Sequence, residues 1–77
     1  MPELTGKDLL RIAEHLGFVL EREHGSHAIM VHPDGRTAVI PLHDKPLGKG
    51  LIDSIVKHEF KLEKEEFEEI VEEHAEK

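Results

Sequence analysis

Apolar positions recur every three or four residues in three stretches of the chain and alternate in three others, a pattern that predicts three helices and three strands. Leu9, Ile12, Ala13 and Leu16 form the first helical stripe. Thr5 precedes it as an N-cap, Asp8 follows three residues later in a variant capping box, and Gly17 stands where a left-handed residue closes a helix. The first helix is therefore expected over about residues 6–16. Phe18 to Glu23 alternates, with Phe18 and Leu20 on one side and Val19, Glu21 and Glu23 on the other, as a half-buried strand does. Gly25-Ser26 punctuates the chain before the second strand, His27 to His32. There His27, Ile29 and Val31 share one face, and Ala28, Met30 and His32 the other. Pro33-Asp34-Gly35 signals a hairpin, and Arg36 to Ile40 is the third strand, ended by Pro41. Connections this short admit only antiparallel pairing.

A loop rich in Gly, Lys and Pro (43–50) leads to a second helix over 51–58, with Ile52, Ile55 and Val56 turned to the sheet. Residues 63–76 carry a third helical pattern whose narrow stripe is Phe67, Ile70 and Val71; nearly every other position is Glu. Such a helix either docks by its stripe or frays. The order predicts an α+β two-layer sandwich: an α-β-β-β-α core with a three-stranded antiparallel sheet, plus an acidic C-terminal helix. The expected division is a core domain over 1–62 and the acidic helix over 63–77. One sheet face is covered by helices and the other stays partly open.

Composition narrows the classes. With 77 residues and no cysteine, the chain has room for one small core and nothing to staple it. No apolar run approaches the roughly 20 residues of a membrane span. The start, Met1-Pro2-Glu3-Leu4, lacks the layout of a signal peptide, so the cytoplasm is the expected location. The net charge of −7 speaks against a nucleic-acid partner until its distribution is considered. Residues 63–77 hold eight acids and two lysines, hence −6 of the −7, and the remainder of the chain is close to neutral. A local patch, not the total, decides where a phosphate backbone sits.

The candidate chemistry lies in Glu23-His24-Gly25-Ser26-His27. Glycine allows close backbone approach, and imidazole exchanges protons near neutral pH, as cleavage of RNA by its own 2′-hydroxyl requires. The plain alternative is that His27 merely begins a strand. His24 is either a helper to His27 or an ordinary loop residue, and His32 and His43 are candidates for the same pocket. His27 and His32 fall on opposite faces of a regular strand, which argues against a shared zinc site, and no metal-ligand spacing is visible. His15, His58 and His74 sit on helices, and His58 and His74, near helix C-termini where a cation is favoured, are expected to be exposed. Lys7, Arg22, Arg36, Lys45, Lys49, Lys57 and Lys61 are the available phosphate contacts. Lys7, Lys45 and Lys49 are favoured, because the loop before the second helix and that helix's start can hold a phosphate together. No nucleophile elbow and no nucleotide-binding glycine loop is present.

The ordered set Thr-Gly-Lys-Asp-Leu-Leu (5–10), Leu-Gly-Phe (16–18), Gly-Ser-His (25–27), His-Pro-Asp-Gly-Arg (32–36), Val-Ile-Pro-Leu-His (39–43) and Lys-Gly-Leu-Ile-Asp-Ser-Ile (49–55) resembles the HicA-type, or YcfA-like, toxins. The resemblance covers about residues 4–68. It implies a fold like that of double-stranded-RNA-binding domains, metal-independent cleavage of mRNA without a cofactor, and neutralisation by a HicB-type antitoxin. It makes His27 the catalytic histidine, and Gly25 and Ser26 the turn that presents it. Lys7 matches the lysine of the opening Gly-Lys, and His43 the histidine after the Pro-x pair; contact with RNA and structural support are both open to them. The free protein is expected to be a monomer that does not engage a membrane. One departure stands at Ala28, where many members carry another histidine or an aromatic. Two alternatives remain beside the endoribonuclease: a non-catalytic RNA-binding module of the same fold, and a protein-interaction domain that uses the acidic helix.

Overall fold

The computed structural model describes the backbone of residues 3–75 and the side chains of residues 3–73. The amino-terminal Met1-Pro2, the His74 side chain and the end of the third helical pattern at Glu76 lie outside the described residues. Helix α1 runs Gly6–His15. Thr5 starts it with a closed capping box: its backbone N–H donates to Asp8 Oδ2 at 2.9 Å, and its hydroxyl accepts from the Asp8 N–H at 3.3 Å. Gly17, at φ 102°, reverses the chain after it.

Strands β1 (Val19–His24), β2 (His27–Val31) and β3 (Thr37–Pro41) form an antiparallel meander in the order β1-β2-β3. Helix α2 (Lys49–Ser54) continues directly into a π-helical segment, Ile55–Phe60, and α3 occupies Lys64–Ala75. No helix among the described residues is long and apolar enough to cross a membrane. The helices cover one face of the sheet. The core between the layers joins Leu9, Ile12 and Ala13 of α1 to Met30, Ala38 and Ile40 of the strands and to Ile55 and Phe60. Phe67 and Val71 enter the same cluster, so α3 docks by its stripe.

The second helical stretch departs from the expectation of 51–58 by running two residues earlier and two later. Gly50 is exposed and merely weakens the first turn, and the widened π turn carries the chain on to Phe60. At 100° per residue an α-helix would rotate Phe60 away from Ile55. With i→i+5 bonding, Ile55, Val56 and Phe60 all face the core. Lys61 then takes the left-handed conformation (φ 57°), and the Leu62 N–H returns to the Val56 carbonyl at 3.0 Å.

β1 is an edge strand with every residue exposed, bulged between Leu20 and Arg22. Leu20 lies opposite Met30 and so turns toward the helical layer, as expected, but at the sheet's rim it stays 42% exposed. The β2–β3 turn is a three-residue loop. Gly35 N–H bonds the His32 carbonyl at 2.9 Å, His32 N–H bonds the Arg36 carbonyl at 2.8 Å, and Gly35 has φ 99°, the arrangement of a type I turn followed by a left-handed glycine. Asp34 Oδ1 and Oδ2 accept from the Arg36 N–H and Nε at 3.0 and 2.8 Å. The backbone hydrogen bond from Arg36, and then its side chain, hold the Asp34 carboxyl below its usual range.

Arg36 also donates through Nη1 to the Phe60 carbonyl and lies over the Phe18 ring at 5.2 Å from its centroid. It therefore ties the hairpin to the end of the π segment. Arg36→Ala is expected to cost about 2 kcal/mol, since a charged hydrogen bond and a ring contact are lost. Thermal unfolding would show it as a Tm fall of roughly 10 °C, and an unchanged Tm would contradict the assignment.

Candidate functional site

Gly25 and Ser26 are the two residues of the turn that joins β1 to β2, and His24 and His27 pair directly across it. Gly25 has φ 62°, whereas Lys61 is the one non-glycine residue at positive φ among those described, so Ser26 keeps an ordinary backbone. That combination is a type II′ turn, which takes glycine first and matches the twist of the flanking strands. Nothing lies within 4 Å of where a Gly25 Cβ would stand, so the turn projects into open space.

Residues opposite one another in an antiparallel pair point to the same face. Because Ala28 and Met30 are fully buried under the helices, His27, Ile29 and Val31 face the open side, joined by His24 and Arg22 from β1 and Val39 from β3. The apolar part of that face is only partly covered: Val19 is 60% and Val39 43% exposed. His27 is exposed at the hairpin end of this face.

The end of β3 closes beside the turn. His27 is opposite Pro41, and the Leu42 N–H donates to the Ser26 carbonyl at 2.6 Å. His43, exposed, follows immediately. Helix α1 begins against the same stretch: a Cβ on Gly6 would stand 1.8 Å from the Pro41 carbonyl oxygen and 3.1 Å from Leu42 Cα. Lys7, the next residue, is exposed on the first turn of α1. The loop after β3 is pinned at its far end by the Leu47 N–H, which donates to the Leu4 carbonyl at 2.7 Å. Lys45 is exposed between the two anchors, and Lys49 opens α2 and lines a groove with Leu4, Leu47 and Ile52. The fold thus gathers Gly25, Ser26, His27, His43 and the start of α1 with Lys7 at one end of the sheet, and sets Lys45 and Lys49 on the segment leading away from it.

A family model described as the HicA toxin of bacterial toxin–antitoxin matches residues 6–59. The chain belongs to the HicA toxin family. The match spans α1 through most of the π segment, and α3 lies beyond it. No curated protein matches the chain in sequence.

Within this HicA-family fold three sequence readings change. His32 does not face the pocket of His27. Its Nε2 lies 3.0 Å from the Leu16 carbonyl, its Nδ1 accepts from the Asp34 N–H at 3.1 Å, and its ring stands edge-on to Phe18 at 5.1 Å between centroids. Those contacts clamp the α1 C-terminus to the β2–β3 hairpin. Gly17 is needed there, because a Cβ would come within 2.9 Å of the His32 Nε2. Arg36 is likewise taken up by Asp34, Phe60 and Phe18, and so is not a phosphate contact. Ala28 is 0% exposed on the covered face, so a larger side chain there would enter the helical layer and not stand beside His27. Sequence reasoning also missed Gly6: its contact joins positions 6 and 41, and only the folded chain brings them together. Among the described residues no group of three His, Asp or Glu side chains is placed to hold a metal ion.

Proposed function

We propose that this protein is a metal-independent mRNA interferase, the toxin half of a HicA/HicB-type pair, acting in the cytoplasm, with His27 as a proton-transfer residue. The observation that carries the reading is the exposure of His27 on the open sheet face at a Gly25-Ser26 turn that leaves space for a substrate. Membership of the HicA family supplies the reaction class. RNA lies over the hairpin end. Lys7 contacts the phosphates from the start of α1, with Lys45 and Lys49 further along and His43 beside the turn. A 2′-hydroxyl gives up its proton, its oxygen bonds to phosphorus, the P–O5′ bond breaks, and O5′ is protonated. The products are a 2′,3′-cyclic phosphate and a 5′-hydroxyl. A HicB-type antitoxin silences the enzyme, and residues 1–62 form the RNA-acting unit to which the acidic helix is appended.

The test is direct. Purified protein is expected to cut a natural mRNA equally with and without EDTA, leaving cyclic phosphate ends, and to leave a fully 2′-O-methylated copy intact. Cleavage of the methylated RNA, or its abolition by EDTA, contradicts the mechanism. The non-catalytic RNA-binding module is the outcome if RNA is retained in a gel shift but not cut.

A further inference from the structure

His24 pairs with His27 at the turn end of the β1–β2 hairpin, on the same open face, and both are exposed. Resting on the endoribonuclease reading above, we propose that His24 is its second proton-transfer residue, the partner that handles whichever proton His27 does not. Cleavage by a 2′-hydroxyl needs two transfers, one from the attacking oxygen and one to the departing O5′, and these oxygens lie on opposite sides of phosphorus. A single imidazole at one position serves one side. Side chains directly opposite in an antiparallel pair have Cβ atoms about 4.5–5.5 Å apart. Two imidazoles rooted at that spacing reach the two oxygens of one phosphate, each within about 2.6–3.2 Å. Near neutral pH a pair of imidazoles supplies one proton acceptor and one proton donor, and each turnover exchanges their roles until solvent resets them.

The turn fixes this juxtaposition. With only Gly25 and Ser26 between them, the two histidines are necessarily cross-strand neighbours. The type II′ geometry holds the register against slippage. The charged and titratable groups around the pair are few. Arg22 shares the face on the same strand, Pro41 stands on the far side of His27, and His43 follows beyond it. Glu23 lies opposite Ala28, toward the covered side. β1 is an edge strand, so no further strand flanks His24. His24 is the last residue of β1 and not a loop residue, so its backbone is held opposite His27 by the sheet.

The experiment compares two RNA oligonucleotides that differ at one linkage the wild-type protein cuts. One is all-oxygen, and the other carries a 5′-bridging sulfur, a leaving group that needs no proton. His24→Ala is expected to slow cleavage of the all-oxygen RNA by about 10²–10⁴-fold in kcat, with little change in KM and an unchanged Tm, and to remove one limb of a bell-shaped pH profile. Of His24→Ala and His27→Ala, one is expected to regain near-wild-type rates on the sulfur substrate. That variant lacks the general acid, and the other lacks the general base. Wild-type kcat in His24→Ala, a loss that appears in KM alone, or failure of both variants to regain rate on the sulfur substrate, overturns the role of His24 while leaving the endoribonuclease standing. If the wild type cuts no RNA, the endoribonuclease reading itself is overturned.

Discussion

Replacing His27 with alanine is expected to lower RNA cleavage by roughly 10²–10⁴-fold and to abolish growth inhibition on expression, while Tm stays where it was. The two halves of that result have separate causes. The expected loss of activity rests on the proposed role of this imidazole in moving a proton. The retained stability follows from exposure: His27 is an exposed side chain, and surface substitutions of this kind stay within about ±0.5 kcal/mol. Ladder hydrogen bonds of β2 involve the backbone and survive the change. Cleavage at the same rate by purified wild type and variant would remove His27 from the mechanism. A large fall in Tm would show that the ring supports the hairpin and that the loss of activity is indirect.

Gly6→Ala gives the opposite signature. In an ordinary helix the exchange stabilises by up to about 1 kcal/mol. Here the new methyl would stand 1.8 Å from the Pro41 carbonyl oxygen, and the obstacle is backbone that no rotamer change can move. Either α1 lifts from β3 or β3 shifts at its end. Overpacking of this kind costs about 1–3 kcal/mol, and more where the neighbour cannot yield. A Tm fall of 10 °C or more is expected for a domain of this size. RNA cleavage is expected to drop as well, even in the folded fraction, because Lys7 rides on the displaced turn while Pro41 and Leu42 flank His27 and Ser26. A variant as stable as wild type, or more so, would show that the contact yields.

The elements themselves were legible in the chain because each carries a local signal. Thr5 and Asp8 mark a helix start by chemistry that acts over three residues, and Pro33-Asp34-Gly35 specifies its loop by fixed and positive φ values. The alternation of β2 correctly separated His27 from Ala28 and Met30. What escaped was nonlocal or subtle. The role of His32 depends on Leu16 and Phe18, brought to it by the reversal at Gly17. Arg36 looks like any surface base until the Phe18 ring is placed beneath its guanidinium and the Phe60 carbonyl beside its Nη1. The π segment has no recognised residue code, and only its burial of Ile55, Val56 and Phe60 together reveals why the helix widens. The histidine at 27 was visible as a candidate, whereas its pairing with His24 needed the turn type.

The placement of α3 has an electrostatic consequence. Its glutamates project from the helical layer, where Phe67 and Val71 anchor it, and the histidine-bearing face of the sheet looks the other way. Negative charge is therefore weighted toward the helical layer, and Glu68 of α3 shares a groove with Lys49. A polyanion approaching the helical layer is repelled more strongly than one approaching the open sheet face. Added salt weakens that difference together with the overall repulsion.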